Sequence, residues 1–287
     1  MGFSSLDDLI SEMTTGGKTQ DFWFQKITSN GATGAAGRWY DLFTGTGFPA
    51  AGAYSGSVGT ATVLAASSVG AMPLNSNVQP DTRHLLNATV WSPTATVPVA
   101  NLVLVDLLMY YPALVVTGTP STLVQSTGLP RYQNGIGVQA FCVVQSAVGA
   151  TSPALTFTFT STNSAGSTTG SRTAVMTAPA VSAPISNIWL NGGSQFFPIP
   201  SGDVGIVSIQ SYTLSAGTTG TVAAVLCKPL MQIPITQQYL AAERETLFQL
   251  ASLPQIYDGA CLAWMLQPGG AMVTSSLVQG RAQYAWG

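Results

Sequence analysis

The chain has 287 residues and a mass of 29.7 kDa, with 9 Lys and Arg against 11 Asp and Glu and a net charge of −2. Charged residues make up 7% and hydrophobic ones 46%, where an ordinary soluble domain carries about 25% charge, so the low-hydrophobicity, high-charge signature of disorder is excluded. Nine basic residues dispersed from Lys18 to Arg281 form no phosphate-binding patch, which argues against nucleic acid as a partner.

The N-terminal stretch MGFSSLDDLISEM is acidic and lacks a basic n-region and a long apolar core, so no secretory signal is expected. It reads instead as a short helix. Ser5 and Asp8 resemble a capping box, Asp7 and Asp8 sit at the positive end of the dipole, and Leu6, Leu9, Ile10 and Met13 follow helical spacing up to the stop at Gly16 and Gly17. Two to three turns are marginal alone, so this stripe must dock on the chain's own core or on a neighbour.

Residues 18 to 75 combine many glycines with Phe22, Trp23, Phe24, Trp39, Tyr40, Phe43, Phe48 and Tyr54, which predicts short strands and extended loops. These aromatics suit a core or, alternatively, an arm anchored on a partner. The reading divides the chain into an arm, residues 1–60, and a β-sandwich domain, residues 61–287.

From Ser92 onward the pattern is mostly β. Val97 to Val116 is the longest apolar stretch, but Asp106 and Pro112 interrupt it, so it predicts a buried strand and not a membrane span. Leu155 to Thr160 alternates strictly, and Val204 to Leu214 alternates with a phase slip near Gln210 and Ser211, as a bulge would produce. Further strands are expected at Leu102 to Tyr110, Gly137 to Gln145, Arg172 to Thr177, Asn187 to Leu190 and Thr221 to Cys227. The similar segments 164–170 and 215–220 read as two hairpin tips. A second helix is expected from Thr236 to Ser252, followed by a return to β over Ile256 to Met265 and Met272 to Trp286. The fold class is therefore mainly β: an antiparallel, jelly-roll-like sandwich with a short N-terminal helix and one further helix near the C-terminus.

Catalytic chemistry is sparse. His84 is the only histidine, so a two-His metal site within one chain is impossible, and it reads as a structural hydrogen bonder. No nucleophile elbow or phosphate-binding loop is present. Of the close carboxylate pairs, Asp7 and Asp8 cap a helix while Glu243 and Glu245 lie on a solvated turn. No catalytic residue, metal or cofactor is assigned, and the chain is not expected to be an enzyme. Cys142, Cys227 and Cys261 lie far apart in apolar settings, which predicts buried free thiols. Asp106 within an apolar strand needs a partner, with Arg131 or Arg172 available to supply one.

Low charge, strands rich in Gly, Ala, Ser and Thr, the capped N-terminal helix and the stretch GRWYDLFTGTGFPAAGAYSG (Gly37 to Gly56) together resemble structural proteins of tailed-bacteriophage virions, most of all capsid cement or decoration proteins. The resemblance is one of style over most of the chain and carries no functional residue over. It implies a virion protein, assembled in the host cytoplasm, that forms dimers or trimers and binds the major capsid protein or other virion proteins. No direct contact with nucleic acid or membrane is expected. The interface candidates are Leu6, Leu9, Ile10, Met13, Phe22, Trp23, Phe24, Trp39, Tyr40 and Phe43. The alternatives are another virion part (neck, tail or receptor-binding fibre) and a carbohydrate-binding sandwich using Trp39 or Trp189.

Overall fold

The computed structural model describes residues 2–28, 36–74, 77–94, 99–116, 122–125, 127–149, 154–177, 188–189, 194–215, 219–249, 253–273 and 276–287. Its elements in chain order are α1 (Leu6–Thr14), β1 (Thr19–Ile27), β2 (Tyr40–Asp41), β3 (Gly47–Phe48), β4 (Thr62–Val63), β5 (Arg83–Trp91), β6 (Ala100–Val115), β7 (Gln139–Ser146), β8 (Ala154–Asn163), β9 (Thr168–Thr177), β10 (Ile188–Trp189), β11 (Asp203–Leu214), β12 (Thr221–Ile235), β13 (Ala242–Glu245), α2 (Thr246–Gln249), β14 (Gln255–Ile256), β15 (Cys261–Pro268) and β16 (Leu277–Trp286).

These strands form three antiparallel sheets. The central one runs β10-β7-β12-β6-β15-β2 with β4 also on β6; a second runs β13-β5-β16-β1-β3 with β14 also on β5; a third runs β11-β8-β9. In β6, Leu102 and Leu104 pack against Phe22, Phe24, Leu85 and Val278 of the second sheet. On the same face further along, Met109 and Tyr111 pack against Phe157, Phe159 and Ile209 of the third sheet. The opposite face, with Val103, Val105 and Leu107, is covered by Trp39, Phe43, Tyr54 and Leu64. Two smaller sheets thus lie side by side on one face of the central sheet, and the segment before β5 covers the other. A strand buried on both faces must be apolar throughout, which accounts for the long hydrophobic run that β6 occupies.

β12 carries Pro229 and Pro234. It pairs with β7 only from Thr221 to Cys227 and with β6 alone beyond that, so both prolines fall where one side of the strand needs no ladder donor. The phase slip expected near Gln210 is a register shift between Ile209 and Ser211.

Three expectations are corrected. The described residues of the expected arm do not stand apart: β1 pairs along its whole length with β16 and joins β3 on its other side, and the described part of residues 1–60 shares cores with the remainder, residues 29–35 lying outside the described set. Of the helix expected over Thr236 to Ser252, the described residues hold only Thr246–Gln249 as α2, because β13 is claimed by the edge of β5, and tertiary pairing outweighs helix propensity there; residues 250–252 lie outside the described set. The strands that flank 215–220 do not pair with each other, since β11 belongs to the third sheet and β12 to the central one, and residues 216–218 themselves lie outside the described set. By contrast, 164–167 does close the β8–β9 hairpin. The strand expected at Asn187 to Leu190 is described only as β10, its outer residues lying outside the described set.

Candidate interaction surface

The ten sequence-derived interface candidates separate by exposure. Phe22, Phe24, Trp39, Tyr40, Phe43 and Leu9 are buried within the chain itself. Leu9 seats α1 on Leu86 and Ala285, with Phe3, Met13, Leu247 and Leu253 around it, so the helix docks on its own chain. Its start is capped as expected, Ser5 Oγ accepting from the Asp8 N–H at 3.1 Å. Asp8 instead reaches back to Ser4, accepting from its N–H and Oγ at 2.9 and 3.0 Å. Leu6, Ile10 and Trp23 remain outward, 49, 50 and 55% exposed.

Much of the scarce charge is spent internally. Lys26, Asp41, Arg83, Asp106 and Arg131 are all buried. Asp106 is partnered by Arg131, one of the two residues the sequence offered, in a bidentate pair with Nε to Oδ2 and Nη2 to Oδ1 both 2.8 Å. The guanidinium also donates to the carbonyls of Leu64 and Leu107, and Asp106 Oδ1 accepts the Cys261 N–H at 2.9 Å. Asp106 stands opposite Lys228 at the seam where the second and third sheets meet over the central one, and Arg131 plugs that seam. Burial pushes the Asp106 carboxyl up, against the pull of Arg131. The other candidate, Arg172, pairs with Asp203 at 3.0 Å, and Asp203 also accepts from Ser161 and Thr169. These hydrogen bonds, led by Ser161, hold its carboxyl below the usual range.

One sheet face is mostly polar without being charged. The outer face of the third sheet carries Thr156, Thr158 and Thr160 of β8 in register with Val175, Thr173 and Ser171 of β9.

The outer face of the second sheet is different. Three rows cross it in register: Trp23, Arg281, Thr89 and Glu243; Gln25, Gln279 and Trp91; Asp21, Gln283, Asn87 and Glu245. The first, third and fifth side chains of Asp21-Phe22-Trp23-Phe24-Gln25 point outward because strand side chains alternate, which buries Phe22 and Phe24 and exposes Trp23. Trp91 meets Trp23 edge-on, centroids 6.2 Å apart. Gln279 donates to Gln25 at 2.6 Å, Asn87 to Gln283 at 3.0 Å, and Arg281 to Asp21 at 3.4 Å. Of these residues the sequence had singled out only Trp23 as an interface candidate. The alternation of β1 was the available signal, whereas β5 was hidden by the Leu85-Leu86 pair, which sits at a register shift.

His84 Nδ1 lies 3.4 Å from the Leu253 carbonyl beside the Phe3 ring, and burial lowers its pKa, in keeping with a structural role. Among the described residues no group of three His, Cys, Asp or Glu side chains is placed to hold a metal ion. The three cysteines are free and buried. Trp39, a candidate sugar-binding residue, is buried, and the side chain of Trp189 lies outside the described set.

No family model matches the chain, and no curated protein matches it. Among solved structures, 93% of the chain aligns with 80% of a chain in the structure of the infectious bursal disease virus Gx strain, at 11% identity and a TM-score of 0.23. It aligns over the same shares with the infectious bursal disease virus VP2 subviral particle, at 11% identity and a TM-score of 0.20. This is a weak similarity to a viral capsid protein, and TM-scores of this size carry no argument about what the present chain does.

Proposed function

We propose that the chain is a non-catalytic structural protein of a virus particle, of the cement or decoration kind, which associates with its own copies and with the capsid protein. The observation that supports this is the surface. With five of the 20 charged residues buried, the 11238 Å² of accessible surface carries about one charge per 750 Å². The same surface exposes Leu6, Ile10, Tyr239, Leu240 and Phe248, the last at 74%. A lone soluble domain keeps itself dispersed with interspersed charge of both signs. A subunit meant to be covered by others has less need of it, and many weak apolar contacts repeated across a shell add through multivalency.

The test is co-fractionation. An antibody against the chain is applied to density-gradient fractions from its source. Recovery with particles that contain both a capsid protein and nucleic acid is the expected result; recovery only in the soluble fractions sinks the proposal.

A further inference from the structure

We propose that the outer face of the second sheet, centred on Trp23, is a binding platform for a neutral oligosaccharide. The face is a rigid surface of four strands and three residue rows, about 14 Å on each side from strand and residue spacing, enough for two or three sugar rings. A pyranose presents an apolar C–H face and a rim of hydroxyls, and it needs an exposed aromatic plane bordered by groups that both donate and accept.

Trp23 supplies the plane. It is 55% exposed and makes a T-shaped contact with Trp91, a favoured aromatic arrangement. Gln25 and Gln279 border it along β1 and β16, Arg281 and Thr89 lie beside it in its own row, and Asp21 is two residues away on β1. The amides already pair with one another, Gln279 and Asn87 each donating and Gln25 and Gln283 each accepting. An amide has two donors and an acceptor with two lone pairs, so hydrogen-bonding capacity remains on the Gln25, Gln279 and Gln283 amides, whereas the Oδ1 of Asn87 is buried. Asp21, Glu243 and Glu245 outnumber Arg281 on this face, which turns away phosphorylated, sulfated and acidic glycans and favours uncharged ones. Arg281 donates to Asp21 at 3.4 Å in an exposed pair, so both remain open to solvent and to a ligand. This platform stands independently of the virion reading, because free protein and particle-bound protein would both display it unless the partner covers it.

The experiment titrates the full chain with neutral gluco-, manno-, galacto- and chito-oligosaccharides up to millimolar concentration, following tryptophan fluorescence and calorimetric heat. At least one series binds the native chain; Trp23→Ala weakens it ten-fold or more, Gln279→Ala weakens it by less, and Trp23→Tyr restores part of the loss. Phe248→Ala, at an exposed aromatic elsewhere, leaves binding unchanged. Unchanged thermal melting of each variant separates loss of the platform from loss of the fold. The proposal is overturned if no oligosaccharide binds, or if binding survives Trp23→Ala. It is equally overturned if Trp23→Ala abolishes association with virus particles while no sugar binds, since the face is then a protein contact.

Discussion

At the scale of single residues, the buried ionic groups decide stability. Removing one partner of a buried, hydrogen-bonded pair strands the other charge, so Asp106→Ala and Arg131→Ala should each cost about 3 to 5 kcal/mol in chemical denaturation, while the paired replacement Asp106→Leu with Arg131→Met should cost less than the sum of the two. Sequence alone made this pair half legible. A carboxylate in an apolar run demanded a cation, but choosing between Arg131 and Arg172 required knowing which loop crosses the seam. Asp41 and Lys26 were not legible at all, since neither lies in an apolar run. Asp41 is fully buried beneath Phe43 and Tyr54, and burial raises its carboxyl to about 6, whereas burial lowers the ammonium of Lys26, which donates to the carbonyls of Gly45 and Ala50, to about 8. The folded state therefore holds a proton on Asp41 that the unfolded chain releases near 4, so this residue's contribution to stability is lost as pH rises from about 4 to about 6. Lys26 acts at the other end, its contribution being lost as pH falls from about 10 to about 8. Asp41→Asn keeps an acceptor for the Phe43 N–H and cannot ionise. Urea midpoints should then rise relative to the native chain at pH 7 and stay level with it near pH 4; the same offset at both values would show that ionisation of Asp41 is not the cause.

Elements show where local signals prevailed and where tertiary pairing overrode them. Strict alternation located β8 and the bulge in β11, and the cap and stripe located α1, because each is a local pattern that its packing endorses. The segment from Thr236 to Ser252 failed because the edge of β5 offered ladder bonds to β13, a fact that no window of that segment contains. Glycines separate in the same manner. Gly205 in β11 lies so close to the Gly135 carbonyl that an added methyl would collide with backbone, while Gly170 in β9 has open space at that position. Gly205→Ala should therefore destabilise the chain by about 2 kcal/mol or more through displaced backbone. Gly170→Ala, which meets nothing, should be neutral or stabilise by about 0.4 to 1 kcal/mol through the unfolded state. Thermal melts of both variants check the contrast, and equal effects would mean that the third sheet does not pack on the 131–138 loop in this manner.

For the whole molecule, the composition already implied how association should respond to salt. Contacts between surfaces bearing about one charge per 750 Å² owe little to Coulomb attraction, and whatever attraction exists between exposed charges is screened within about 8 Å at physiological ionic strength. Apolar contact is not screened, and excluded salts such as sulfate strengthen it. Light-scattering mass should therefore exceed the 29.7 kDa of one chain at high protein concentration, hold steady between about 0.05 M and about 1 M sodium chloride, and increase in sulfate. Leu6→Ser with Ile10→Ser, which removes the exposed apolar residues of α1 without touching buried Leu9, tests whether the helix takes part: a lower mass places the contact there, while an unchanged mass excludes α1 and leaves the other exposed apolar residues, Tyr239, Leu240 and Phe248 foremost. A mass that falls steadily with sodium chloride would locate the contact in the few remaining ion pairs and remove the surface argument on which the proposed structural role rests.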